Sequence, residues 1–393
     1  VEFFAMVSRL GPDGAALGGV DRYEPRKEIA MRLDMRRSSI ALVALCGLAL
    51  TPSALAHAAL PGAVVQAAGL GQAEDRNAAL DYWRLMNTTT YAADLPARAG
   101  EAFKVLHPDP DGDAQPVEAP ATLLPGGELQ GELAEIADFL DDLERASRET
   151  HCDFQVRYED GYAAMLPHLG KMRGFARLLV TDARRLALAG DEVAAAERLA
   201  TALRMARHLT GDRILISSLV SAAIADMAIK EAHWLLDRTD GAGDVRRTLD
   251  AALQRFPVED AYGVEVALRT ERDLVASLSR QFRGPRAGSE FADMFLQMAG
   301  ETDEAVEREV RALDGEAFKA QVERAVDAFD LVFEAWKAAD AQAELQGLGE
   351  RFSEREFGTV ALIVVPAFEK AQGSDAKARA KLDALKDRVK GNG

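Results

Sequence analysis

The sequence predicts an all-α protein: antiparallel helical hairpins packed into an irregular, solenoid-like bundle. Three observations carry this. Apolar residues recur at spacings of three and four over most of the chain beyond residue 128, the period of a helix buried on one face. Dipeptides such as Gly190-Asp191 break that period with the chemistry that ends one helix and starts the next. Sustained alternation of period two, the mark of a half-buried strand, does not occur.

The chain is read in five parts. Residues 1–34, mixed in charge and without apolar periodicity, read as an extension upstream of the true start, set at Met35 or Met31. Residues 35–56 have the layout of a cleavable export signal: Met35-Arg36-Arg37, an apolar run over 40–50, then small residues at Ala54 and Ala56. That run is far shorter than the roughly 20 residues a membrane span needs. The expectation is therefore an exported chain of the periplasm or cell envelope, with no transmembrane span once cleaved. Residues 57–73, rich in Ala and Gly, read as a flexible leader. Residues 74–372 read as one all-helical domain, and 373–393 as a basic tail, either a solvated helix or disordered.

Within the helical domain, Ala79, Leu80, Trp83 and Met86 place a helix over 74–86. Five prolines (Pro108, Pro110, Pro116, Pro120, Pro125) mark 104–127 as a long loop, because proline removes backbone donors. Leu129, Leu133, Ile136, Leu140 and Leu143 make one stripe. Leu169, Met172, Ala176, Leu179, Ala183 and Leu186 make another, starting near Gly161. Past Gly190-Asp191, a partner helix turns Val193, Ala196, Leu199, Ala200, Leu203 and Ala206 inward. Thr210-Gly211-Asp212 repeats the break, with Asp212 in a capping position. The helix over 214–236 is apolar on most sides, as a central helix is. Further helices are expected at 244–255, 258–282, 288–299, 303–312, 315–345, 353–371 and 375–390. The run 360–365 has strand-like composition, but its helical neighbours favour a buried helix kinked at Pro366.

The 393 residues carry 47 Lys and Arg against 64 Asp and Glu, a net charge of −17. Such a surface repels nucleic acid and anionic lipid at long range. Of the two cysteines, Cys46 falls in the export signal, so Cys152 alone remains and no intramolecular disulfide can form. A core large enough to stand without covalent staples is implied. Burial suits the lone thiol better than exposure.

Two resemblances follow from the order of these residues. Leu179, Ala183, Leu186, Gly190-Asp191, Ala195, Leu199 and Ala202-Leu203 resemble the packing positions of a tetratricopeptide repeat. The fragment ending Phe256-Pro257 resembles the end of another, but out of that family's period. Over about 74–283, the strings Cys152-Asp153-Phe154, Tyr158-Glu159-Asp160-Gly161, Leu166-Pro167-His168-Leu169, Ala206-Arg207-His208 and Ile216-Ser217-Ser218 resemble a group of uncharacterised exported helical proteins of planctomycete bacteria. That resemblance implies an all-α fold and an envelope location. It brings no activity, ligand or catalytic residue.

One polar constellation stands out. His168 lies near the start of one predicted helix and His208 near the end of its antiparallel partner, so the two imidazoles are expected at the same end. Cys152 lies in the loop that feeds the first helix. Together these three are the candidate metal ligands, or a thiolate paired with an imidazole base. The competing reading is structural: His208 meets a helix C-terminus, and Cys152 fills a gap. Asp109-Pro-Asp111-Gly-Asp113 starts like a calcium loop, but Ala114 and Pro120 stand where Gly and Glu are required. No phosphate loop, zinc-protease motif, nucleophile elbow or cofactor motif is present in the sequence. The sequence therefore favours a non-catalytic helical scaffold or interaction module with a protein or peptide partner. The alternative is a metal-binding protein or enzyme using Cys152, His168 and His208.

Overall fold

A computed structural model of the chain describes residues 76–88, 90–108, 115–239, 243–299, 304–365 and 368–391. The expected upstream extension, export signal and leader, the calcium-like motif and Pro366 lie outside the described residues. Those residues form fifteen α-helices and no strand, so the chain is all-α. Among the described residues, the one β contact is an isolated bridge between Asn77 and His151.

The first body is centred on three successive helices: α5 (Pro167–Leu188), α6 (Glu192–Leu209) and α7 (Leu215–Arg238). The α5–α6 hairpin is made by a Schellman turn. Gly190 takes a left-handed conformation at φ 87°; its N–H donates to Ala187 and the Asp191 N–H to Leu186. The Asp191 carboxylate then caps α6 by accepting from the Ala194 N–H at 3.1 Å. Helix α6 is the hub. Its Ala195, Ala196, Ala200, Ala202 and Ala206 are all fully buried, and these short side chains let neighbours approach from several sides. Around the three helices pack α1 (Ala78–Met86), α2 (Leu95–Leu106), α4 (Ala137–Arg148) and α8 (Gly243–Leu253), with the short α3 (Glu128–Glu135) leading into α4.

The second body begins with α9 (Val264–Gln281), which packs on α7 and on α12 (Gly315–Lys337). Helices α10 (Ala287–Ala299), α13 (Ala341–Ser353) and α14 (Thr359–Val364) pack on α12, and α11 (Glu304–Arg311) packs on α10 and α14. The last helix, α15 (Phe368–Val389), returns to lie against α7, α8 and α13. No helix among the described residues is long and apolar enough to cross a membrane.

The structure departs from the sequence expectations in several places. Helix α2 was not expected: Pro96 sits in its first turn, where a missing N–H costs nothing. The stripe from Leu129 to Leu143 is buried as expected but is divided between α3 and α4 at Ile136. Helix α5 starts at Pro167 rather than near Gly161, and a 3-10 turn (Tyr158–Ala163) precedes it. Val193, in the first turn of α6, is 46% exposed rather than turned inward. The stretch expected as one helix over 315–345 breaks at Asp340, which caps α13 through its side chain. Residues of the basic tail continue α15, where Leu382 and Leu385 are fully buried. Three of its cations are engaged with other segments: Lys381 with Asp226, Arg388 with Asp237 and Arg379 with the Glu259 carbonyl. Residues 360–364 are helical, as their neighbours implied, but the helix expected over 353–371 is interrupted by a turn at 354–358 and α14 ends at Val364, with Val365 extended.

Candidate functional site

His168 and His208 do meet at one end of the α5–α6 hairpin, and Cys152 lies beside them. They do not converge on a common point. Phe154 stacks on the His168 ring at 4.1 Å between centroids. Phe154 also stacks with Tyr82 at 6.0 Å, and Tyr82 meets His208 edge-on at 5.8 Å. Two aromatic rings thus stand between the imidazoles, with Trp83 edge-on to both Phe154 and His168. Among the described residues, no group of three or more His, Cys, Asp or Glu side chains is placed to hold a metal ion.

Each imidazole is committed to a structural partner. His208 Nε2 lies 2.9 Å from the Glu149 carbonyl, which can only accept, so Nε2 carries the proton. Nδ1 then accepts from the Tyr82 hydroxyl at 3.0 Å. Burial, with Arg255 and Arg207 adding to it, pulls the His208 pKa down to about 4. The folded ring is therefore neutral at pH values well above 4. His168 donates from Nε2 to Asp212 Oδ2 at 2.7 Å, with both side chains almost fully buried.

Asp212 is the residue that sequence reasoning misplaced. It was expected to cap α7, but its carboxylate takes no N–H of that helix. It accepts from His168 and from the Ser217 hydroxyl, also at 2.7 Å. Ser, His and Asp thus meet, but the carboxylate is in the middle. A nucleophilic triad needs the imidazole between the other two, so that it can take the hydroxyl proton. Here Ser217 and His168 are both held by Asp212.

Cys152 is half-buried and free. Burial above all, then the carboxylates of Asp212 and Asp153, push its thiol well above the ordinary range. It is held as a thiol, the opposite of an activated nucleophile. A side chain on Gly211 would meet the Cys152 carbonyl oxygen at 2.8 Å, so the two loops touch where only glycine fits. Asn77 clamps the same segment, exchanging two 2.9 Å bonds with the Asp153 backbone.

The wider polar network has the same character. Arg198, Thr201, Arg204 and His208 fall at spacings of three, three and four on α6 and form one stripe. Arg198 reaches Asp182 at 3.0 Å and Asp141 at 2.7 Å; Arg204 reaches Ser147 at 2.9 Å. On the opposite side, Arg184 makes a two-pronged pair with Glu231, both 1% exposed. The same guanidinium donates to the Glu118 carbonyl at 2.7 Å and lies 3.4 Å from the centre of the Trp234 ring. His107 completes the Glu231 carboxylate at 2.7 Å.

A hollow of a different kind lies in the second body. A cavity of about 210 Å³ opens between the start of α9, the end of α12 and α15. Trp336 forms an aromatic wall, and Glu259, Asp260, Glu265 and Asp375 bring carboxylates to its border, with Lys337 and Arg379 beside them. Sequence reading gave no hint of it, because its residues come from three distant segments.

The chain matches no family model, no curated protein and no solved structure.

Proposed function

We propose that the chain is an exported, non-catalytic helical scaffold of the cell envelope that presents its stacked hairpins to a protein or peptide partner. The export reading rests on the signal-like segment 35–56. The scaffold reading rests on tetratricopeptide-like packing positions in α5 and α6, and on one observation above the rest. Titratable side chains along the hairpin bind the helices to one another: His168 to Asp212 and His208 to Tyr82 and the end of α4 at one end, and Arg198 to Asp141 and Asp182 farther along. Groups fixed in this way orient a framework and leave its faces to do the binding.

The test uses the full chain immobilised against envelope extract, with soluble chain as competitor. The reading expects one partner, recovered repeatedly and displaced by the competitor; recovery of none removes it. In parallel, zinc is titrated into the wild type and into a Cys152→Ala, His168→Ala double variant. Equal, weak affinity in both supports the scaffold. Tight zinc binding lost in the double variant transfers the function to the alternative, a metal-binding protein or enzyme.

A further inference from the structure

We infer that the cavity between α9, α12 and α15 is a binding site for an organic cation: a primary ammonium or guanidinium carried on an alkyl stem. This goes beyond the scaffold reading and does not depend on it. Gln372, Asp375, Ala376 and Arg379 lie at i, i+3, i+4 and i+7 of α15, so one face of that helix borders the cavity. Asp375 is the centre of that face and only 7% exposed. Its buried Oδ1 has no hydrogen-bond partner among the described residues, and its Oδ2 meets Arg379 only at 3.7 Å. The Arg379 guanidinium is instead directed to the Glu259 carbonyl at 2.8 Å.

A buried carboxylate so poorly paired is costly unless a positive charge arrives. Burial pushes the Asp375 pKa up to about 6, which states the same cost in protons. The other local charges do not settle it. Lys337 is taken by Glu265 at 2.9 Å, and the Asp260 carboxylate is turned to the backbone N–H of Val264 at 2.8 Å.

The class of ligand follows from the walls. The carboxylates do not converge as metal ligands do, since no cluster among the described residues is placed to hold a metal ion. They are spread around a Trp336 ring, the most favourable side chain for a cation with an apolar body. The volume of about 210 Å³ falls below the roughly 300–1,000 Å³ of sites for drug-sized ligands. One side-chain-sized cation fits that scale. Its source is either a free alkyl amine or a Lys or Arg side chain of a peptide.

Calorimetry on the full chain distinguishes these. The probes are cadaverine, agmatine, an acetyl-Gly-Lys-Gly-amide peptide and the same peptide acetylated on the lysine. Saturable binding of the amines or of the charged peptide is expected, and none of the acetylated peptide. Amine binding without peptide binding assigns a free amine; tighter peptide binding assigns a protein side chain. Asp375→Asn is expected to weaken binding roughly tenfold, and Trp336→Leu roughly threefold. Binding should also weaken below about pH 6, as Asp375 takes up its proton. Circular dichroism melts confirm that each variant is folded, and Trp336→Leu, at a half-buried position, carries the test if Asp375→Asn fails to fold. No saturable binding by any charged probe overturns the inference. So does equal binding of the acetylated peptide, or affinity unchanged in both variants.

Discussion

The two bodies of the molecule solve the same packing problem differently. Among the described residues, the polar side chains buried after residue 243 are only Glu271, Thr359 and Asp375, whereas those before residue 240 are many and include separate bonded groups around Asp212, Asp182 and Glu231. The first body locks its helices with buried ion pairs and hydrogen bonds such as Arg184–Glu231 and Arg198–Asp182. The second relies on apolar contact, as in the Phe282, Phe291 and Phe318 cluster with centroids 5.2 to 6.0 Å apart, and on exposed pairs such as Arg272–Asp330. Apolar packing is tolerant of small slides; a buried ion pair is not, because misplacing one partner strands the other. A framework that must hold one register suits the first arrangement. The second leaves Asp375 with little company, and that is where the cavity lies.

The largest effect is expected where the first body is broken. Glu231→Ala strands Arg184, which is 1% exposed, and should cost about 3–5 kcal/mol in urea unfolding. Replacing both members, Arg184→Met with Glu231→Leu, should recover most of that loss. A cost under about 1 kcal/mol for the single change would mean that these buried pairs do not hold the first body together.

Next comes pH, where the two bodies should respond in opposite directions. His208 has its pKa depressed to about 4 in the fold. Its contribution is complete above about 6.5 and is lost as pH falls towards 4, a change of about 3 kcal/mol. Glu271 in α9 is fully buried, with a single 3.3 Å bond from the Leu215 N–H, and burial raises its pKa to about 7. Its contribution is complete below about pH 4.3 and is lost as pH rises towards 7, again by about 3 kcal/mol. Thermal melts across pH check both signs. Glu271→Gln should be more stable than the wild type at about pH 8 and equal to it near pH 4. His208→Gln should flatten the acid limb. Parallel pH profiles for the two variants would erase the contrast.

The smallest effect belongs to the surface of the second body. Arg272→Ala removes an exposed two-pronged pair with Asp330 at 2.7 and 2.8 Å, and should cost about 0.2–1 kcal/mol, less in high salt. A loss as large as that of Glu231→Ala would show the second body to be ionically held as well.

Much of this was legible in the residues. The α5 stripe, the Gly190-Asp191 turn and the alanines of α6 are local patterns, and each stands where its spacing put it, apart from Val193 at the fringe. The stripe Arg198, Thr201, Arg204 and His208 was equally legible, since polar residues at helical spacing on an otherwise buried helix must face partners. The meeting of His168 and His208 at one end followed from hairpin topology. Their separation by Phe154 and Tyr82 did not, because those rings arrive from segments with no fixed spacing to either histidine.

Chain order and residue type alone settled that the described residues are helical, where most helices stop, and which faces are greasy. Those properties depend on neighbours within a turn or two, where spacing is set by backbone geometry. Only the folded arrangement decided what the charges meet: Arg184 with Glu231 across 47 positions, His168 with Asp212 across 44, and Asp375 on the border of the same hollow as Trp336. Contacts between remote segments depend on how whole helices dock, and docking sums many weak apolar contacts that no single spacing records.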